Sequence, residues 1–528
     1  MTQATPQTLD GREPRARDDR ARGDRVRAAA AGLAAATLGV GAGELVAAFI
    51  APEASPFAVI GGGLIDLAPA WAKDTAIALF GTGDKVALLV GIGVVLAGLA
   101  ALAGILERRF PGTGAALLGA LGAVALAVAL TRANPGPYAW APGIVAGGIS
   151  AIVVRLLIRG LRPVAGFAVD PDDRRRFLLW TGGAAAAGVI ALMIGNVARS
   201  ASRSIETVRK ALTLPTPMTA AAAVPSGAEL DLPGLARVVT PTEEFYRIDT
   251  ALVVPRVDPA DWSLRIHGMV DREVVITWDE LLALPMTESY VTLSCVSNEV
   301  GGSLIGNARW LGHPLRELLA RAGVQSDADM VLSTSADGFT ASSPIEALTD
   351  DRDALLAIGM NGAPLPLEHG FPARMVVPGL YGYVSATKWV TELEVTRFDR
   401  AMAYWTPRGW SDHGPIKLQS RIDVPRAGRT VAPGETMIAG MAWFPHTGVT
   451  GVEVRIDGGP WQAADLAAGI SDDTWVQWST PWSAQVGEHS IECRAIGADG
   501  DTQTEQRAAP APDGAQGWHR VDVTVGPA

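Results

Sequence analysis

The sequence predicts a multi-domain chain: an N-terminal all-α transmembrane bundle, then a mixed α+β domain, then a C-terminal β-sandwich. Three observations carry this. A chain of 528 residues is longer than one ordinary domain. Composition changes near residue 200: before it Ala, Leu, Val and Gly dominate, acids are sparse and His is absent, whereas Asp, Glu, Trp and Pro become common after it. The hydropathy pattern changes at the same place, from long apolar runs to short alternating segments separated by Gly and Pro turns.

The first 27 residues form a basic tail with seven arginines, although the whole chain has a formal net charge of −11. Such a tail can bind nucleic acid or set membrane orientation. Directly before an apolar span it sets orientation, and nothing else in the sequence points to nucleic acid. Within a transmembrane domain at 28–198, five spans are expected at roughly 28–50, 86–106, 115–131, 142–159 and 177–198. Each supplies enough apolar residues to cross a bilayer with some tilt. The apolar stretch 55–71 is broken by Gly, Pro and Asp66 and reads as an interfacial or re-entrant piece. Glu44, inside the first span, is expected near the outer interface in contact with water, and Arg155 is placed to snorkel.

Fifteen basic residues fall in the tail, the 107–114 loop and the segments flanking 155–176, against three in the alternate loops, Lys73, Lys85 and Arg132. The basic side is cytoplasmic by the positive-inside rule, and five spans then place everything after residue 200 outside. Asp173-Arg174-Arg175-Arg176-Phe177-Leu178, followed by TGGAAAAGVIALMIG, resembles a twin-arginine export signal inside the chain. A positive-inside flank explains the three arginines equally well. Residues 199–228, rich in small residues and Pro without periodicity, read as a linker.

The soluble half, read in order, opens with VVTPTEEFYRID and the alternation WSLRIHG. Asp279 and Glu280 head a short helix that stops before Pro285. SYVTLSCVSNEVGG (289–302) is a strand running into a Gly-containing loop, with Cys295 at the junction. ARWLGHPLRELLARAGV (308–324) is a strand end followed by an amphipathic helix capped by Gly323, and Gly- and Pro-punctuated strands follow. Cys295 and Cys493 are the two cysteines, too few for a disulfide scaffold, an iron–sulfur cluster or a four-cysteine zinc site. All seven histidines lie at or beyond His267, so no expected span ligates haem through His. A thiolate is a soft ligand for redox metals and a strand end can aim it into a site, but a lone cysteine is also an ordinary core residue. The residues alone leave both open for Cys295. Cys493, alternating in HSIECRAIG, reads as sandwich core.

The ordered set TPTEEFYRID, TLSCVSN, NARWLG, ADGF, MNGAPLPLEHGFPARMVVPG and SATKW resembles the molybdopterin domain of the sulfite oxidase family. SRIDVPRAGRTV, VEVRIDGGPWQ and GWHRVDVTV resemble the family's immunoglobulin-like dimerisation domain, and the likeness spans about 235–528. It implies a sulfite-oxidase-type molybdopterin domain at 229–400 and an immunoglobulin-like β-sandwich at 415–528. It also implies a molybdenum–molybdopterin cofactor with Cys295 as the metal ligand and catalytic residue. The cofactor-binding positions it implies are Tyr246, Arg247, Cys295, Asp337, His369, Arg374, Ala386, Thr387 and Lys388. Outside that constellation Arg374 reads as a surface ion pair and His369 as a loop cap.

Departures from the family pattern bear on substrate. Sulfite oxidases follow the cysteine with Ala-Gly-Asn-Arg-Arg, whereas here Val296-Ser297-Asn298-Glu299-Val300 follows, and the family's active-site tyrosine aligns with Phe339. Val300 thus stands where an arginine helps bind an oxyanion. The methionine-sulfoxide-reducing branch does not match after the cysteine either. The resemblance implies two-electron oxo transfer on a small sulfur- or nitrogen-containing substrate, and the spans with their basic flanks imply a cytoplasmic-membrane enzyme whose catalytic domain is extracytoplasmic. The resemblance implies a homodimer, and a sequence offering no haem domain or cluster implies a separate cytochrome or quinone-linked electron partner. A cofactor-binding membrane assembly or sensor component without catalysis is the alternative.

Overall fold

The computed structural model describes residues 12–51, 54–67, 84–131, 136–161, 171–200, 203–251 and 253–526. It comprises two compact units, Met1–Ser204 and Ile205–Ala528.

The first unit is helical. Among the described residues, five segments are long and apolar enough to cross a membrane: Arg22–Ile50, Ala87–Arg109, Thr113–Leu130, Ala141–Arg159 and Arg175–Gly195. They agree with the five expected spans to within a few residues. Pro56–Leu67 forms a separate helix of 12 residues, about 18 Å long and too short to span a bilayer. Residues 68–71 of the stretch read as interfacial or re-entrant lie outside the described residues, as do Lys73 and Arg132.

Small residues let these helices approach closely. A side chain on Gly32 would strike the carbonyl of Ala100, and one on Gly104 would strike that of Ala28. Glu44 differs from expectation. It is 1% exposed and accepts hydrogen bonds from Ser55 Oγ (2.9 Å) and the Phe57 amide (3.0 Å). Its carboxylate therefore caps the start of the Pro56–Leu67 helix, where unpaired amides favour an acceptor. Arg155 does not extend alone: its guanidinium lies 3.6 Å from Glu107, whose carboxylate accepts from the amides of Gly112 and Ala115.

The described residues of the second unit form four sheets. Its mixed part contains β1 (Ser263–Gly268), β2 (Val274–Thr277), β3 (Thr287–Ser294), β4 (Ile305–Pro314), β5 (Met330–Ser335), β6 (Thr340–Pro344), β7 (Leu355–Met360), β8 (Ala363–Pro364), β9 (Arg374–Val376) and β10 (Val390–Thr396). One sheet has the order β2-β1-β10-β5-β6, and the other runs β3-β4-β7-β8 with β9 on β7. Local chemistry explains the helices between strands. Thr277 and Glu280 form a reciprocal capping box at the start of the Trp278–Leu282 helix. Gly323, at φ +73°, ends the Leu315–Ala322 helix in the left-handed conformation. Leu264, Ile266, Leu318, Leu356 and Met375 share one core, while Phe245, Val291, Trp310 and Phe371 share a second beneath β3 and β4.

The C-terminal part contains β11 (Gln419–Val424), β12 (Thr430–Val431), β13 (Gly434–Trp443), β14 (Val449–Ile456), β15 (Gln462–Ala463), β16 (Asp465–Leu466), β17 (Val476–Ala484), β18 (Gly487–Gly497) and β19 (His519–Val525). Two sheets, β11-β13-β17-β16 and β12-β19-β18-β14-β15, face each other across one core. Ile438, Trp478, Val454, Val523 and Cys493 meet there, Cys493 fully buried.

The stretch read as a linker contains regular structure. Arg203–Ala211 is a helix with Arg209 paired to Glu206 at 2.7 Å, and Ile205 enters the core of Phe245 and Trp310. Further along, the Thr219 carbonyl accepts the Glu288 amide of β3 at 2.8 Å. The apolar positions Ile205 and Leu212 lie seven apart, a spacing that puts both on one helix face, and low overall hydrophobicity conceals them.

Candidate active site

β3 is an edge strand, and its free edge is closed by other segments. Thr219 takes the Glu288 amide, and the Asp473 carbonyl takes the Thr292 amide at 3.0 Å. β3 ends at Ser294, so Cys295 stands at the first position beyond a strand held on both sides. The following loop is closed by its own bonds: Cys295 amide to Leu304 carbonyl (2.9 Å), Asn298 amide to Cys295 carbonyl (3.0 Å) and Leu304 amide to Asn298 Oδ1 (2.8 Å). Cys295 is 8% exposed, and its Sγ accepts from the Ser297 amide at 3.4 Å. Burial pushes the thiol pKa up, while the Ser297 bonds and the charge of Lys388 oppose that.

β9 places Arg374, and the short turn Leu367–His369 places His369. The buried guanidinium of Arg374 donates to the carbonyls of Met375 (3.2 Å), His369 (3.1 Å) and Ala386 (3.4 Å), and lies 5.0 Å over the Trp310 ring. Burial lowers its pKa to about 10. No carboxylate pairs with it among the described residues. His369 is buried and held neutral, its pKa lowered to about 3 by burial first and by Arg374 and Lys388 next. Lys388 donates to Asp249 Oδ2 (2.8 Å) and the Glu368 carbonyl (3.0 Å), with its pKa lowered to about 8 by burial against the pull of Asp249.

Tyr246 stacks on Phe245 at 5.2 Å, and Phe245 meets Trp310 and His369 edge-on. Burial, then proximity to Cys295, pushes the Tyr246 phenol up, so it stays protonated. Ala386 contributes its carbonyl to Arg374, and Thr387 bonds to Ser333 Oγ at 2.7 Å. Thus Tyr246, Cys295, His369, Arg374, Ala386 and Lys388 are linked by contacts or mutual electrostatics. Arg247 joins at the margin, partly exposed and paired to Asp249 at 2.9 Å. Asp337 does not join by any contact among the described residues. Its carboxylate accepts from the Phe339 amide (3.3 Å) and shapes the β5–β6 turn.

Sequence reasoning missed Asp249, whose buried carboxylate holds both Lys388 and Arg247. Its signal was present, an acid two residues after Arg247. It also missed Trp310 as the platform under Arg374. Val300 lies half-buried in the loop after Cys295, and Phe339 packs 5.8 Å from Tyr404.

His519 shares the electrostatic character of His369, its pKa lowered to about 4 chiefly by burial. Both are depressed below the ordinary value of 6.5, so unfolding below that pH takes up a proton at each. Their contribution to stability is full above about pH 6.5 and is lost as pH falls, by roughly 1.4 kcal/mol per pH unit for each histidine. Denaturation of the parent between about pH 5 and 6.5 should show this slope, and His369→Gln should reduce it. An unchanged slope in the variant contradicts the assignment.

The family described as the oxidoreductase molybdopterin binding domain matches residues 251–405. Human mitochondrial sulfite oxidase is 31% identical over 342 residues, covering 55% of this chain and 62% of that protein. The chain thus spans less than two thirds of that relative's length. The uncharacterized oxidoreductase YuiH of Bacillus subtilis (strain 168) is 31% identical over 173 residues, covering 33% of this chain and 84% of that protein. Among solved structures, the sulfane dehydrogenase SoxCD of Paracoccus pantotrophus aligns with TM-score 0.48 and 25% identity, covering 56% of this chain and 85% of that one.

Proposed function

The chain belongs to the sulfite oxidase family of molybdopterin-dependent oxidoreductases, and we propose that it is a membrane-anchored enzyme performing two-electron oxo transfer on a small sulfur- or nitrogen-containing substrate. The observation that carries the proposal is Arg374, a buried cation bonded to carbonyl oxygens and a ring face. A guanidinium so placed suits an anionic ligand. The surrounding donors fit molybdopterin: a thiol for the metal, two cations for the phosphate, and a neutral imidazole for the pterin.

When bound, the cofactor supplies the two-electron redox chemistry. Cys295 would hold the metal; burial raises its thiol pKa, and the Ser297 bonds and the Lys388 charge oppose that. Arg374 and Lys388 would neutralise the cofactor's anionic end, and Asp249 keeps Lys388 oriented and charged. His369 stays neutral across the physiological range, so it orients its ligand by hydrogen bonding rather than by charge. Tyr246 offers a phenolic donor beside Cys295. Val300 and Phe339 stand where the family pattern has an arginine and a tyrosine, which supports a substrate less anionic than sulfite.

The five apolar helices support an anchor in the cytoplasmic membrane, and the arginine-rich flanks support an extracytoplasmic Ile205–Ala528. The helical Asp173–Leu178 stretch supports twin-arginine export, although the side chain of Arg174 lies outside the described residues. The paired C-terminal sheets support an immunoglobulin-like domain that dimerises the enzyme. With two cysteines in the chain and all histidines at or beyond His267, electrons pass to a separate cytochrome or quinone-linked partner in this reading.

Arg374→Met should lower the pterin content per purified chain by about tenfold or more, the loss expected for one charge-assisted contact, with Arg374→Lys intermediate. Parent-level pterin in Arg374→Met would remove the basis of the proposal. Replacing Arg174 and Arg175 together by Lys should leave the catalytic unit inaccessible to protease added outside spheroplasts. Unchanged accessibility would assign those arginines to orientation alone.

A further inference from the structure

The β-sandwich reaches into the loop that carries Cys295. Arg421 of β11 is 8% exposed, and its Nη1 donates to the Gly302 carbonyl at 2.7 Å. The same guanidinium is fixed by Asp423 at 2.6 Å and faces the Trp475 ring at 5.9 Å. His519, the first residue of β19, packs against Gly301, where the backbone sits at φ +80° and any side chain would run into the imidazole. Its Nδ1 accepts the Ile422 amide at 2.9 Å, which fixes the ring. Ahead of the cysteine, Thr292 of β3 gives its amide to the Asp473 carbonyl, and its Oγ1 accepts the Trp475 amide at 2.9 Å. The sandwich thus grips the chain three residues before Cys295 and six to seven residues after it.

We propose that Arg421 and His519 are positioning residues for Cys295, so that the sandwich sets the place of the thiol as well as whatever interface it forms. The inference rests on Cys295 as the metal ligand, but its geometry is independent of the metal. Asn298 and Leu304 close the loop internally, yet the Gly301–Gly302 corner leans on the sandwich through a charge-assisted hydrogen bond and a shape fit. Asp423 extends the grip by accepting the Ala236 amide at 3.1 Å, joining the segment that leads to Tyr246. A metal site keeps its geometry only when the groups behind its ligand are themselves fixed.

The test uses the full chain in detergent, purified from cells unable to make the pterin, so that Cys295 is a free thiol. Iodoacetamide labelling of Cys295 and Cys493 is followed by mass spectrometry, with amide exchange across 296–304 and the unfolding midpoint measured alongside. Arg421→Met and His519→Gln should each speed exchange in 296–304 by about tenfold and raise Cys295 labelling several-fold. Cys493 labelling should stay at the parent value, whatever fall in midpoint the loss of a buried contact brings, and Arg421→Lys should recover much of the Arg421→Met effect. Parent rates at Cys295 and across 296–304 in both variants would overturn the proposal. Equal gains at Cys295 and Cys493 in both variants would also overturn it, because the contacts would then be general packing. Because the readout needs no metal, absence of molybdenum from the chain made in cofactor-competent cells would contradict the ligand reading and leave this test standing.

Discussion

A thiol can hold a metal in a fixed geometry only when the backbone on both sides of it is held, and an edge strand does not provide that unaided. β3 gains its rigidity from segments distant in sequence. Thr219 pairs at its start and the Asp473–Trp475 stretch at its end, while Trp310 on the neighbouring strand donates its indole N–H to the Val291 carbonyl at 3.1 Å. The same tryptophan supports Arg374 from below. Removing that layer would unsettle the cysteine strand and the principal cation together.

The electrostatics of the site follow from a mismatch in charge. Arg374, Lys388 and Arg247 approach one another, and Asp249 pairs with two of them. Burial disfavours each of the two inner cations, and the cost falls when an anion arrives. His369 sits among these charges, and burial first and the neighbouring cations next keep it neutral. Such an arrangement is expensive in an empty fold and sensible in one built to hold a multiply charged ligand.

Much of this was legible in the sequence where the signal is local. The five apolar helices follow from run length, and the junction of Cys295 follows from a β-branched run meeting glycines. The left-handed cap at Gly323 follows from a helix pattern ending in glycine. Features that depend on distant partners were not legible. Asp249 and Lys388 are separated by 139 positions, and Arg421 and Gly302 by 119. Glu44 was expected in contact with water because nothing local shows that the chain turns back eleven residues later to bring Ser55 onto it. The stretch 199–228 read as a linker because a short helix anchored by Ile205 and Leu212 carries too little hydrophobic pattern to be seen.

The central claim is that Cys295 and the cations around it hold a molybdenum cofactor. Elemental analysis and pterin assay of the detergent-purified chain, made in cells competent for the cofactor, test it most directly. The account predicts about one molybdenum and one pterin per chain, with the metal's spectroscopic signature altered or lost in Cys295→Ser. Neither molybdenum nor pterin in the parent chain would contradict it.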